Sequence, residues 1–265
     1  MANRYFSVFK ISLKSGMAYK AEIVLKIIFS FISSLIILFV WYAAYHYSNT
    51  SNINGISLTT TVLYFFVFAS IAAIWGGYGV GKLINSDIKT GSIVSNFIRP
   101  VNYVYALFVR HLPQTLIFLI FGTIPILTII YIISGMHMAI AQLIYFIAEI
   151  AIAYFIFNLI AFIISIFTIY LSDVEGIMNA VFIIIEILSG AIVPIIFYPK
   201  PIYNILLLTP FPFLAYIPIS TFLGILKISQ IPWILVIGTA WVLVLSVISR
   251  ILWKKFNRDI NIVGI

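Results

Sequence analysis

The sequence predicts an all-α integral membrane protein with six membrane-spanning helices, and three observations carry that expectation. Of its 265 residues 63% are hydrophobic and 8% are charged, whereas a soluble domain carries about 25% charged residues. A soluble fold of this size has no interior large enough for so much apolar surface, so the remaining solvent is lipid. The apolar residues also gather into runs near the ~20 residues that a bilayer requires. Finally, the basic residues cluster at the ends of these runs, where membrane orientation accounts for a net charge of +8 without invoking nucleic acid.

The first element is amphipathic. Arg4, Ser7, Lys10 and Lys14 recur at helical spacing, and Tyr5, Phe6, Val8, Phe9 and Leu13 fill the other side. Residues 1–22 are therefore expected to form an interface helix whose lysines reach the headgroups. A cleavable signal is not expected, because roughly two dozen residues precede the first apolar run, and Ala43-Ala44 is a poor cleavage site.

Six spans follow, approximately 27–45, 58–79, 107–133, 139–167, 177–196 and 233–253. The third and fourth exceed the minimum length, which predicts tilt or extension into the interface. No internal repeat is visible. Thirteen of the fifteen basic residues flank the start, the second connection or the end of the last span, leaving Lys200 and Lys227 opposite. The positive-inside rule then predicts a multi-pass protein of the plasma membrane with both termini cytoplasmic.

Two connections are too elaborate for plain turns. The cytoplasmic one, 82–106, holds Asn85-Ser86-Asp87, Gly91-Ser92 and Arg99-Pro100 as markers, with Ile93, Val94, Phe97 and Ile98 forming one apolar helical face between them. That pattern predicts a short helix along the membrane, open to a cytoplasmic partner. The outer one, 194–227, is nearly as hydrophobic as a span but is interrupted by Pro194, Pro199, Pro201, Pro210, Pro212 and Pro218. Lipid does not tolerate unpaired backbone, so short helices that dip into the membrane and return, packed against protein, are expected. A seventh span over 202–226 would put Lys254-Lys255 outside, against the charge bias.

Several chemistries are excluded. Without cysteine there is no thiolate metal site and no Cys nucleophile. Gly76-Gly77-Tyr78-Gly79-Val80-Gly81-Lys82 fits part of a phosphate-binding loop, but Leu83 stands where the Mg²⁺-binding Ser or Thr belongs, and a membrane helix precedes it. Gly77 and Gly81 instead suit close approach of another helix. His46, His111 and His137 are scattered, so neither a metal site nor a catalytic triad is expected. Asn49-Thr50-Ser51 is formally a glycosylation acceptor, a triplet common by chance.

Glu149 and Glu186 are the most informative side chains. Each lies about ten residues inside its expected span, roughly 15 Å deep at 1.5 Å per residue. A charge there costs at least about 2.5–3.5 kcal/mol, and no Lys or Arg sits at that depth. Two readings stand. Both carboxylates face a polar translocation path, with Tyr154, Phe155 and Phe157 able to stack on a cationic or aromatic cargo; or one or both are protonated and hydrogen-bonded to Ser, Asn158 or backbone on a neighbouring helix.

Three segments together resemble the ABC-2-type permeases, especially the ABC-2 family transporter proteins. Asp87 to Tyr103, DIKTGSIVSNFIRPVNY, is similar to the cytoplasmic segment after their second span. Pro210-Phe-Pro-Phe-Leu-Ala-Tyr216 through Pro218 and Gly224 is similar to the proline-broken outer segment, and Trp253-Lys-Lys through Gly264 to the basic tail. The resemblance implies a type V exporter fold in which two permease copies or paralogues surround the path and separate ABC ATPase subunits bind below. ATP and Mg²⁺ would then sit on those partners, with no cofactor and no catalysis in this chain. It implies a coupling helix near 87–99, carried by Asp87, Gly91, Phe97 and Arg99, an outer re-entrant pair over the path, and alternating access driven by ATP. Drugs, cationic toxicants and antimicrobial peptides are all cargoes the resemblance allows. The competing class is a proton-coupled secondary transporter using Glu149 and Glu186, against which the missing repeat argues. An intramembrane enzyme lacks a catalytic constellation, and a scaffold has no need of midplane carboxylates.

Overall fold

The structure, a computed structural model, describes residues 2–18, 20–48, 52–72, 79–92, 102–135, 138–168 and 174–263. The chain is an all-α membrane protein. Four helical stretches are long and apolar enough to cross a bilayer: Ala21–Tyr47, Tyr103–Ser134, Ile140–Phe167 and Ile228–Phe256. Two shorter apolar helices, Leu58–Ala72 and Gly176–Ser189, occupy the second and fifth expected positions.

Helix α1 (Ala2–Ala18) and α2 (Lys20–Tyr47) open the chain. A two-residue hairpin, β1 (Asn52–Ile53) and β2 (Ile56–Ser57), leads into α3 (Leu58–Ala72). Its turn residues Asn54 (φ 49°) and Gly55 (φ 82°) are both left-handed, as a tight hairpin turn that matches strand twist requires. Tyr45 fastens α2 to this end, donating to Ile56 O at 2.9 Å and sharing a hydrogen bond with Thr61.

Helix α4 (Val80–Lys89) follows, then α5 (Tyr103–Phe118), a π-helical turn (Leu119–Thr123) and α6 (Ile124–Ser134), which together make the third expected span. The long α7 (Ile140–Thr168) comes next, then α8 (Val174–Ser189). The outer connection is built from α9 (Lys200–Leu207), α10 (Tyr216–Phe222) and two 3₁₀ turns (Ile195–Phe197 and Phe211–Leu214); a third 3₁₀ turn (Ile228–Gln230) leads into α11 (Ile231–Val263), which closes the chain.

Helix α7 is the centre of the bundle: 61% of its most apolar stretch is buried, against 6% for α2, which lies at the outside of the bundle. Helices α4, α8, α10 and α11 all pack on α7. Both ends of the chain lie at the same end of the bundle. Asn102 N donates to Tyr5 Oη on α1, and Trp253 near the end of α11 stacks on Tyr103 at 4.8 Å between ring centroids.

The second span was expected over 58–79; α3 covers Leu58–Ala72, residues 73–78 lie outside the described residues, and α4 starts at Val80 after Gly79, whose φ is +54°. Asn158 on α7 holds this start, its Oδ1 accepting from Val80 N at 3.1 Å. The fifth was expected to reach residue 196, but α8 stops at Ser189 because Gly190 turns left-handed (φ 87°). A Cβ at Gly190 would come within 3.0 Å of Tyr216 Cβ, and Tyr64 Oη donates to the Gly190 carbonyl at 2.8 Å.

The proline-broken outer connection folds as short helices packed against protein. Residues 212–222 are all buried. The Phe213 ring and Ile152 of α7 both crowd Gly238 of α11, where a Cβ would fall within 2.9 Å of Ile152 and closer still to the ring, so only glycine leaves room there. Gly238 lies roughly 10 Å along α11 and Ile152 roughly 18 Å along α7 at 1.5 Å per residue, so the tip of this connection is inserted well below the helix starts. Gly81 allows the close helix approach its spacing suggested: a Cβ there would meet Ser165 Oγ at 2.7 Å and Met178 Cε at 2.8 Å.

Candidate functional site

Three constellations hold the polar chemistry of the bundle. The first is at the end that carries Tyr5 and Trp253. Asp87, in the last turn of α4, is 5% exposed. Its Oδ2 accepts from Arg110 Nη1 at 2.7 Å and from Tyr103 Oη at 2.9 Å, both on α5, and its Oδ1 accepts from Ser92 Oγ at 3.2 Å. Charge-assisted bonds of this length are the strong kind. Asp87, read from sequence as an element of the coupling helix, thus points inward and clamps α4 to the start of the third span. Gly91 (φ +68°) lies just beyond α4, and among the described residues no atom comes within 4 Å of a Cβ placed on it. Phe97 and Arg99, with the rest of the segment 93–101, lie outside the described residues.

The second constellation surrounds Glu149, fully buried on α7. It sits nine residues from the helix start, roughly 14 Å at 1.5 Å per residue. Thr221 Oγ1, on α10, donates to Glu149 Oε1 at 2.8 Å. Gln142, seven residues earlier and therefore on the same helix face, donates through Nε2 to the Thr221 carbonyl. One residue of the outer connection is thus held by side chain and backbone together. Oε2 of Glu149 has no hydrogen-bond partner among the described residues.

The third is a groove of about 1130 Å³ between the third span and α7. Phe108, Leu112, Leu119 and Leu127 form one wall, and Leu143, Ile147, Ala151 and Phe155 the other. A π-helical turn (Leu119–Thr123) and Pro125 at the head of α6 interrupt the regular α-helical ladder along this wall. Tyr154 and Phe155, expected on the path, both line this groove. Tyr154 Oη donates to the Phe108 carbonyl at 3.0 Å, and its ring stacks on His111 at 5.9 Å. Phe155 lies against Phe108 at 6.2 Å and remains 46% exposed.

The residues singled out from sequence therefore separate. Tyr154 and Phe155 share the groove. Glu149 faces α10 rather than the groove, and Glu186 lies on an exposed face of α8, three residues before its end. Arg110, Tyr103, Thr221 and Gln142 were not singled out. The i, i+7 spacing of Gln142 and Glu149, two polar residues on one face of an apolar helix, was the available signal.

A bundle of long apolar helices with an apolar groove, a buried carboxylate in its centre and a clamped segment at one end is the architecture of a polytopic membrane protein. Compared with known protein families, the chain matches the ABC-2 family transporter protein over residues 31–261, and it belongs to that family. Members of the family are membrane subunits that associate with an ABC ATPase. No curated protein and no solved structure matches the chain.

Proposed function

We propose that the chain is the membrane-spanning subunit of an ATP-driven exporter that moves hydrophobic or amphipathic cargo outward. Six spans (four long, with α3 and α8 as the short second and fifth) put both termini in the cytoplasm of a plasma-membrane protein, in line with the charge bias. Two copies, or this chain and a paralogue, enclose the path. Separate ATPase subunits bind the basic end through residues 82–106, including Phe97 and Arg99, and the outer connection over 194–227 closes the path as a re-entrant lid. ATP and Mg²⁺ reside on those ATPases. Helix α1 is the interface helix of this arrangement.

The observation that carries this reading is the Asp87 clamp. Through one buried carboxylate, α4 is fastened to Arg110 and Tyr103 of α5, and α5 continues directly into the wall of the groove. A push on the connection after α4 is thereby passed to that wall, which is what alternating access needs from a coupling element. The groove supplies aromatic faces, Tyr154 and Phe155, suited to stacking on a cationic or aromatic cargo. Glu149 serves this reading by holding the inserted lid rather than by lining the groove, and Glu186, exposed on α8, meets the path only if that face of the helix lines it in the assembled exporter.

The test is co-expression with an ABC ATPase subunit from the same genome that co-purifies with the chain. ATP-dependent efflux of a cationic amphiphile from cells, lost in Asp87→Ala, supports the proposal. Stable purification without any ATPase, together with transport that follows a proton gradient and vanishes in Glu149→Gln, overturns it in favour of the secondary transporter.

A further inference from the structure

Beside the Asp87 clamp is a second cavity, of about 470 Å³, that the export reading does not use. Four elements meet around it: Ser12 and Ser15 from α1, Glu22 and Lys26 from α2, Lys82 from α4, and Arg110 and Gln114 from α5. Its charges do not cancel. Glu22 is paired to Lys26 at 2.7 Å, and Asp87 to Arg110 at 2.7 Å. Lys82 is exposed and makes no ion pair among the described residues; the Glu22 carboxylate, already held by Lys26, attracts it only from further off. Three cations thus share two carboxylates, and the positive charge left over among hydroxyl, amide and guanidinium donors suits a single negative charge spread over phosphate oxygens.

The surroundings say where such a charge comes from. Helix α2 leaves the cavity as the most lipid-exposed span of the bundle, and Val24, Leu25, Ile28, Phe29 and Ile32 on its first turns are all exposed. A ligand with a phosphate in the cavity and long apolar chains along α2 satisfies both surfaces at once. We propose that this cavity binds the headgroup of an anionic phospholipid, with Lys82 as the principal contact to the phosphodiester. The G-x-x-x-x-G-K stretch that ends at Lys82 fails as a nucleotide loop, yet its lysine is left facing a phosphate-sized charge deficit at the membrane surface. Bound there, the lipid ties α1, α2, α4 and α5 together and steadies the segment that leads into the coupling connection.

The experiment uses the full-length chain purified in detergent, with fluorescent phosphatidylglycerol and phosphatidylcholine as probes. Phosphatidylglycerol is expected to bind more tightly than phosphatidylcholine. Lys82→Ala should weaken it about fivefold, the effect of one lysine near a charged lipid surface, and Lys82→Arg should restore it. Ser15→Trp, which fills the cavity from α1 without removing a charge, should give a comparable loss. Lys200→Ala, on the outer connection, should change nothing. The proposal fails if Lys82→Ala matches Lys200→Ala, if the two lipids bind alike, or if millimolar inorganic phosphate displaces phosphatidylglycerol completely, which would assign the cavity to a soluble anion. None of these readings uses ATP or cargo, so they stand apart from the test of export.

Discussion

Thr221 and Glu149, 72 positions apart, are joined by a buried hydrogen bond of 2.8 Å between Thr221 Oγ1 and Glu149 Oε1. It fixes the inserted part of the outer connection to the most buried helix of the bundle. Thr221→Val keeps the shape and removes the donor, leaving the carboxylate with less compensation; loss of such a bond costs about 1–3 kcal/mol. The thermal midpoint in detergent should fall for Thr221→Val and stay near wild type for Thr221→Ser. Glu149→Gln separates structure from transport: loss of cationic cargo ahead of neutral cargo assigns its charge to the path, and equal loss assigns it to the clamp alone.

The spans were legible because hydropathy depends on composition alone, and the cost of an intramembrane carboxylate made Glu149 stand out. Its partner was not legible, since a threonine is unremarkable in any sequence and Thr221 comes from a distant, proline-broken segment. Asp87 was found as part of a motif, but its direction was not, because its partners Tyr103 and Arg110 lie 16 and 23 positions further on. Hydropathy also passes over helix breaks: Gly190 is apolar enough to extend a run while ending a helix.

Removing the Asp87 carboxylate should uncouple as well as destabilise. Asp87→Ala leaves Arg110 partly buried and unpaired, a change that costs about 3–5 kcal/mol when a buried pair is broken. Partial exposure of Arg110, 33% at its side chain, places the effect at the lower end of that range. Asp87→Asn retains acceptors for Tyr103 and Arg110 and should fold nearly normally. With the ATPase present, Asp87→Asn is expected to hydrolyse ATP at close to the normal rate while transporting less, measured as cargo moved per ATP consumed.

Gly91 offers a sharper probe of the same connection. Its φ of +68° is a conformation in which proline cannot sit and most side chains are strained, but no atom of the described residues lies within 4 Å of a Cβ placed there. Gly91→Asn, which tolerates the left-handed region, should keep transport near normal. Gly91→Pro should abolish ATP-driven transport while insertion into the membrane continues, and Phe97→Asp should do the same. Normal transport by Gly91→Pro would remove this segment from the coupling role.

Gly81 predicts a packing effect of a different kind. A Cβ would meet Ser165 Oγ at 2.7 Å, Met178 Cε at 2.8 Å and the Ala161 carbonyl at 3.3 Å. Met178 is flexible and can give way, but the Ala161 carbonyl is backbone in the middle of α7. Gly81→Ala should therefore cost about 1–3 kcal/mol, as overpacking does. Gly81→Val should push α4 off α7 altogether. Thermal unfolding reads both, and Gly135→Ala, where a Cβ meets nothing within 4 Å but φ is +63°, separates backbone strain from overpacking.

The groove makes the last prediction, and it bears on cargo. Ala151 lies on the groove wall of α7 with its side chain exposed, one helical turn before Phe155. Ala151→Trp places a large ring in a space of about 1130 Å³ without disturbing the core, because the face it enlarges is already open. Folding stability is expected to change by less than about 0.5 kcal/mol, as for other open surface positions. If the groove receives cargo, efflux of bulky amphiphiles should fall several-fold while ATP hydrolysis by the complex persists. Small cargo should be affected less, because it leaves more of the groove unfilled. Unchanged efflux across a size series would mean that the groove is covered by lipid or by a second permease subunit during transport, and that the path lies on another face of the bundle.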